Sequence, residues 1–377
     1  GLYWLAIPLS VNTRTNNLKK NKKIVIDDGL SFAGGATGIA NYSLNLYRGL
    51  RESLDDDSAV HLREYRLICR LPSHLRRLSY LSYINATGAL GGSHLVHYTN
   101  YYAPLTRRRN GPAYVVTIHD MAAWTVPEVF SSNYLRFIRP IVRRTASIAD
   151  AVITVSQTVR EEIIHYLQVP EEKVHVCHNI VGIGDEKITG NGNNSDDGHI
   201  LFVGVIDVNK NVSTLVRAFA RLARDENNRH VKLVLAGKKR GGFPAVEKEM
   251  RRHRLEGRVL IPGYVEEKQL MKFYAEAKAL VMPSVYEGFG IPVIEAMKCN
   301  VPVIASDIPV FREIAGGAAS FYGDPLRDDL LSDAMQKVLS SESLRNELIE
   351  KGSRQAKIYS KENFIDRHLK VYKKVIA

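Results

Sequence analysis

The stretch 283–295, PSVYEGFGIPVIE, decides the fold. It follows the apolar run 280–282, carries glycines at 288 and 290, and turns helical at Pro292. Proline suits a first helical turn because its φ is already helical and the missing N–H is one the helix cannot use. A strand, a glycine loop and a helix start, in that order, form the turn of an α/β unit. Gly288 and Gly290 let the backbone approach a ligand closely, and the amides of Phe289, Gly290 and Ile291 are expected to point at whatever lies before the helix. A diphosphate or a sugar hydroxyl suits that position. Glu287 and Glu295 stand eight residues apart. One turn into the helix, Glu295 can accept two hydrogen bonds from a vicinal diol such as a ribose. Alone, such a pair reads more often as two solvated glutamates on a capped surface helix; its place after a buried strand favours the site.

The same alternation runs outward on both sides. In the C-terminal half the spacing predicts strands over 200–203, 232–236, 280–282 and 302–305, with helices over 212–222, 267–277 and 292–298. In the N-terminal half it predicts strands over 24–26, 113–118 and 151–155 and helices over 39–50 and 157–167, with Ser156 at an N-cap. The segment 185–198, DEKITGNGNNSDDG, is nearly free of apolar residues and interrupts the alternation once. It marks a domain boundary. Short apolar strands alternating with helices imply parallel sheets covered on both faces. The expected fold class is therefore α/β, with two Rossmann-like domains facing across a cleft. The divisions are a tail at 1–22, a first domain at 23–185, a linker at 186–198, a second domain at 199–355 and a C-terminal helix at 356–377. Ligands of such sheets bind beyond the carboxyl ends of the strands. There the segment 204–211, GVIDVNKN, places Gly204 and Lys210. A lysine so placed neutralises diphosphate charge as a point cation.

Composition narrows the classes. The 377 residues are 45% apolar and 24% charged, ordinary globular values that exclude a disordered, collagenous or simple coiled-coil chain. No run approaches 18 apolar residues, so no spanning helix is expected. The opening run 1–9 lacks the basic start and cleavage site of a secretory signal. Cys69, Cys177 and Cys299 are more than 100 residues apart, which argues against a disulfide framework and a zinc site and for a reducing compartment. Lys and Arg number 52 against 40 Asp and Glu, a net +12. That excess points to an acidic partner: phosphates, nucleic acid or an anionic membrane.

The motifs in their order resemble glycosyltransferase family 4, a group of retaining, nucleotide-sugar-dependent enzymes with the GT-B fold. The resemblance runs from about residue 23 through TGIANYSLNL at 37–46, HYTNYYAPL at 97–105, VVTIHDM at 115–121 and ADAVITVSQTVREEI at 149–163. It continues through KNVSTLVRAFARL at 210–222, the segment 263–297 and VPVIASDIPVFREIAG at 301–316. It looks closest to bacterial mannosyltransferases of O-antigen and other surface polysaccharides. The resemblance implies that Glu295 holds the donor ribose, that Glu287 and the amides of Phe289 and Gly290 hold the donor sugar, and that Lys210 holds the diphosphate. Gly204 and Ile291 belong to the same donor wall. It further implies that Gly38 lies beside the donor phosphate and acceptor, and that His119, followed by Asp120, touches the donor sugar. The first domain would bind the acceptor, and the C-terminal helix is expected to pack back on it. In the family an arginine accompanies the lysine; Val205 and Asn209 stand at those positions here, which leaves a basic residue of the run Lys238, Lys239 and Arg240, or a weakened donor site, to make up the difference. Ile180 replaces the family's glycine after Asn179.

No Ser-His-Asp, Cys-His or metal-ligand set is evident, so the expectation is metal-independent, same-face attack by the acceptor, with no cofactor besides the nucleotide-sugar donor. GDP-mannose is the leading donor and a UDP-sugar the alternative. A basic and apolar run at 63–78, continuing through Tyr80, Leu81, Tyr83 and Ile84, together with Arg107, Arg108 and Arg109, suits an anionic membrane surface bearing a lipid-linked acceptor. The helix there begins after Pro72, and a solvated face of the packed domain is its plainer reading. The expected location is cytoplasmic, with peripheral attachment to the inner membrane. A GT-B epimerase or phosphorylase, a catalytically silent GT-B subunit, a nucleic-acid binder and a Rossmann dehydrogenase are the rivals. The last two lack a recognised nucleic-acid motif and a G-x-G-x-x-G fingerprint, respectively.

Overall fold

A computed structural model describes residues 22–28, 38–54, 60–63, 65, 73–87, 92–107, 109–181 and 198–377. The expected tail up to residue 21, residues 29–37 of the glycine loop, the linker between 182 and 197, residues 66–72 of the basic run with Cys69, and Arg108 lie outside the described residues.

Two six-stranded sheets, parallel throughout, organise the described residues. The first orders its strands β2-β1-β3-β4-β5-β6, where β1 is Ile24–Asp27, β2 Val60–Arg63, β3 Leu95–Tyr98, β4 Ala113–Ile118, β5 Ala151–Thr154 and β6 Val174–Val176. The second orders them β12-β11-β10-β7-β8-β9, where β7 is His199–Val203, β8 Lys232–Ala236, β9 Val259–Gly263, β10 Ala277–Met282, β11 Val303–Ala305 and β12 Ala319–Phe321. The strands are apolar because helices cover both faces: β1, β3 and β5 are buried along their whole length. Strand order reverses between β1 and β3 in one sheet and between β7 and β10 in the other. The crevice of a parallel sheet opens at such a switch point, and the loops after β7 and β10 carry Lys210 and the segment 283–295.

The boundary between the helix after β9 and strand β10 differs from the sequence expectation. The helix expected over 267–277 ends at Ala275, and β10 begins at Ala277 rather than at 280. Ala277, Lys278 and Ala279 favour helix intrinsically, but pairing of Ala277 with His199 and Ala279 with Ile200 in β7 overrides that preference.

The chain then crosses back. Helix Glu342–Ala356 packs in the second domain, with Gly352 against Met297. After the turn Lys357–Tyr359, Ser360 caps helix Lys361–Ile376 by accepting from the Asn363 amide. Its Phe364, Ile365, Leu369, Val371 and Tyr372 join Ile24, Ile26, Leu46 and Val115 in the first domain's core. A Cβ at Gly49 would run into Ile365, so glycine there sets how closely the helix lies. A buried polar chain runs through the same contact. Tyr372 OH donates to His97 Nδ1 at 2.6 Å, and His97 Nε2 donates to Thr117 Oγ1 at 2.7 Å. Thr117 donates to Tyr42 OH at 3.1 Å, Tyr42 OH to His368 Nε2 at 2.7 Å, and His368 Nδ1 to the Phe364 carbonyl at 2.7 Å. Only neutral imidazoles complete this sequence of donors. Burial, which pushes both histidines below their usual range and His368 to about 4, keeps them neutral.

Candidate active site

One wall of the cleft is built at the ends of β7 and β10. Beyond β10 the chain turns through residues 283–290, and Gly290, at φ 113°, caps helix Ile291–Lys298 with Pro292 in its first turn. That left-handed backbone favours glycine, and a Cβ would also press on Phe311 at 3.0 Å. The Glu287 carboxylate accepts from Ser284 Oγ at 2.9 Å and pairs with Lys210 Nζ at 2.6 Å. Lys210 closes the short turn Val208–Lys210. Asn211 behind it donates to the carbonyls of Pro283 (3.1 Å) and Pro325 (2.7 Å), tying the β7 loop to the loops after β10 and β12. Glu295 accepts from Tyr274 OH at 2.7 Å. Burial pushes its carboxyl up to about 7, although the Tyr274 bond acts in the opposite direction.

The facing wall comes from the first domain. His119, at the end of β4, donates from Nε2 to the Thr99 carbonyl at 2.8 Å, and its ring meets Tyr42 edge-on at 4.9 Å. Burial lowers its pKa, so the imidazole is neutral. Gly38 opens helix Gly38–Ser53, and a Cβ on it would lie 3.9 Å from Ile291 Cδ1, across the cleft. The walls touch at several points. A Cβ at Gly288 would collide with the His119 carbonyl. Ser156 Oγ donates to the Gly288 carbonyl at 2.8 Å. Tyr286 OH donates to Glu162 at 2.7 Å and accepts from the Met121 amide at 2.7 Å. The Glu313 carboxylate receives the amides of Gln157 (2.6 Å) and Thr158 (2.9 Å) at the start of helix Gln157–Leu167. Ala122, Val126 and Tyr286 form a small apolar cluster between the domains.

Among the described residues, two cavities open in the cleft. One, of about 380 Å³, is lined by Gly38, Tyr42, Asn179, Tyr264, Ile291 and Glu295. Asn179 Oδ1, buried there, has no partner among the described residues. The other, of about 290 Å³, has Val205, Asn209, Lys210 and Arg240 on one side. Asp120 and the rings of Tyr101, Trp124, Phe130 and Tyr134 line the other.

Gly38, Ile291 and Glu295 thus meet at one cavity, Lys210 at the other, and Lys210 and Glu287 touch. His119 and Gly288 meet through the backbone. The Phe289 side chain is buried against His178 and Tyr359, leaving its backbone for any ligand. Gly204 lines neither cavity. Instead its carbonyl lies where the β7 and β8 loops close up, and Gly237 allows that approach, since a Cβ there would overlap the Gly204 carbonyl. Sequence reasoning missed Tyr274 and Ser284 as partners of the two glutamates, and the Tyr286–Glu162 and Glu313 contacts between domains. Ser284 lay inside the quoted motif at hydrogen-bonding range in sequence; the others are joined only by the fold.

Two family models divide the chain between them: glycosyltransferase family 4 matches residues 38–183, and glycosyl transferases group 1 matches residues 185–355. The chain is a family 4 glycosyltransferase. Among its relatives is O-antigen chain mannosyltransferase B of Escherichia coli, 28% identical over 289 residues, or 74% of each chain. The O-antigen chain mannosyltransferase RfbU of Salmonella typhimurium is 29% identical over 310 residues, covering 76% of this chain and 82% of RfbU. The solved structure of Anabaena HepE in complex with UDP and glucose shares the GT-B fold at a TM-score of 0.70 with 17% identity, covering 94% of the glycosyltransferase and 100% of HepE.

Proposed function

We propose that the glycosyltransferase moves a hexose with retention, mannose from GDP-mannose, onto a lipid-linked glycan acceptor in cell-surface polysaccharide synthesis. The observation that carries this reading is the line of polar groups down the donor wall. Glu295 with Tyr274, the start of helix Ile291–Lys298, and the Lys210–Glu287 pair follow one another as ribose, diphosphate and sugar do along a nucleotide sugar. Mannose is favoured because both named relatives are O-antigen mannosyltransferases. A UDP-sugar is the second reading, favoured by HepE, whose structure holds UDP and glucose.

In this mechanism Glu295 accepts the ribose hydroxyls. Glu287 and the amides of Phe289 and Gly290 hold the sugar. Lys210 and the helix-terminal amides stabilise the leaving diphosphate, so charge forms in a field already oriented for it. His119 spends its Nε2 proton on Thr99 and keeps Nδ1 as an acceptor for a sugar hydroxyl. The acceptor attacks from the face the diphosphate leaves, and the clasped domains exclude water that would hydrolyse the donor. The side of the smaller cavity lined by Asp120, Trp124 and Tyr134 receives the acceptor, opposite Lys210.

A cytoplasmic enzyme bound peripherally to the inner membrane fits this substrate. Helix Ser73–Thr87 buries Tyr80, Leu81 and Ile84 but exposes Leu75, Leu78 and Tyr83, an apolar stripe suited to lie at a lipid surface. No described helix is long and apolar enough to cross a membrane. The test is a panel of GDP- and UDP-sugars scored by thermal shift and by turnover. GDP-mannose should stabilise the protein most and be consumed. Preference for a UDP-sugar selects the second reading, and binding without turnover selects a silent GT-B subunit.

A further inference from the structure

The family resemblance leaves a gap in the diphosphate subsite, since Val205 and Asn209 stand where an arginine is expected. Lys210 does not close that gap alone, because its ammonium lies 2.6 Å from the Glu287 carboxylate. A pair so formed carries no net charge toward an arriving dianion. Of the three basic residues at 238–240, two are occupied at ring faces: Lys238 Nζ lies 5.1 Å from the Tyr264 ring and Lys239 Nζ 4.2 Å from the Phe243 ring. Arg240 instead lines the 290 Å³ cavity together with Val205, Asn209 and Lys210. It is exposed, and among the described residues no carboxylate pairs with its guanidinium.

Its position is fixed by the backbone. The Arg240 amide donates to the Ile206 carbonyl at 3.1 Å, and the Ile206 amide to the Lys238 carbonyl at 2.9 Å. Ile206 and Lys239 form a parallel bridge. A Cβ at Gly242 would lie 2.6 Å from the Asp207 carbonyl atoms, so only glycine lets the two loops pack this closely. The loop that carries Arg240 and the loop that carries Lys210 are therefore one unit.

We infer that Arg240 is the second cation of the donor diphosphate subsite, supplying from the β8 loop the charge that the β7 loop lacks. A guanidinium presents paired donors that match phosphate oxygens, which an ammonium does not. This inference rests on the proposed nucleotide-sugar donor and adds a residue to its site.

Calorimetric titration of GDP, GMP, UDP and UMP into wild type, Arg240→Ala, Arg240→Lys and Lys239→Ala tests it. For whichever base wild type binds, Arg240→Ala should weaken the diphosphate roughly tenfold to a hundredfold, as loss of a charge-assisted contact does. The monophosphate should weaken by less than about threefold, since the lost contact is to the second phosphate. Arg240→Lys should recover part of the loss, Lys239→Ala should change neither, and an unchanged unliganded Tm should show that the fold is intact. Equal losses for di- and monophosphate, or no loss, overturn the inference. So does an effect confined to the acceptor KM, which would move Arg240 to the acceptor side. Wild type that binds no nucleotide overturns the proposed donor instead.

Discussion

Substituting Glu295 by Gln should make the glycosyltransferase more stable and a poorer nucleotide binder, with both effects depending on pH. The buried carboxyl titrates at about 7 in the folded protein against an ordinary 4.5. Between those values the folded state holds a proton that the unfolded chain has released, so folding stability falls as pH rises through this window. Above pH 7 the full cost is present: about 2.5 pH units at about 1.4 kcal/mol each, or on the order of 3 kcal/mol. Gln keeps an acceptor for Tyr274 OH and carries no charge. The variant should therefore be more stable than wild type at pH 8, by up to about 6–12 °C in Tm at roughly 2–4 °C per kcal/mol. The difference should shrink below about 1 kcal/mol at pH 5, where wild type is protonated when folded and the unfolded carboxyl is about three-quarters ionised. If only the ionised carboxylate accepts both ribose hydroxyls, the wild-type Kd for nucleotide should rise about tenfold from pH 8 to pH 6. The variant's Kd should be weaker and flat over that range. Calorimetric melts and nucleotide titrations of both proteins from pH 5 to 8 read this out. A stability difference that does not change with pH, or a variant less stable at pH 8, refutes the reasoning.

Gly288→Ala sets a Cβ against the His119 carbonyl. The overlap should cost the closed arrangement about 1–3 kcal/mol, visible as a roughly tenfold or greater fall in kcat/KM and a larger radius of gyration by small-angle scattering. An unchanged rate would show that this contact is dispensable. Glu313→Ala removes the acceptor of the Gln157 and Thr158 amides and should lower stability by about 1–2 kcal/mol, read as a lower denaturant midpoint at constant slope.

Strands and helices with one dominant period were legible in the sequence. The helices over 157–167 and 212–222 and the strands over 113–118 and 232–236 lie where the spacing put them, because amphipathic period and burial agree there. The start of β10 was not legible, since Ala277 and Lys278 become strand only by pairing with β7. The relative placement of Glu287, Gly290 and Glu295 was largely readable because they sit in one short segment whose loop and helix start fix it. Tyr274 lies 21 residues before the glutamate it bonds, on another helix, and no local pattern joins them. The same holds for Tyr286 and Glu162, 124 residues apart: a contact across a cleft leaves no periodicity in either partner. The run at 238–240 was visible as charge, but only the fold separates Arg240 from its two neighbours.

The return of the final helix to the first domain has a consequence for dissecting the protein. No single cut divides this chain into two complete units. A fragment that stops at the interdomain linker lacks Phe364, Leu369 and Tyr372, and burying such side chains contributes about 1.5–3 kcal/mol each, against a whole-domain stability of about 5–15 kcal/mol. The second domain is different, because residues 198–360 form one continuous piece. Lys22 Nζ reaches the Ile376 carbonyl at 3.4 Å, so a short bridge from Ile376 to Lys22 in place of residues 1–21, with new termini opened between 181 and 198, would give a circular permutant. In it each domain would be a single uninterrupted stretch, joined once, at Ser360. Such a molecule would let the second domain be exchanged between relatives as a cassette while the first keeps its own core.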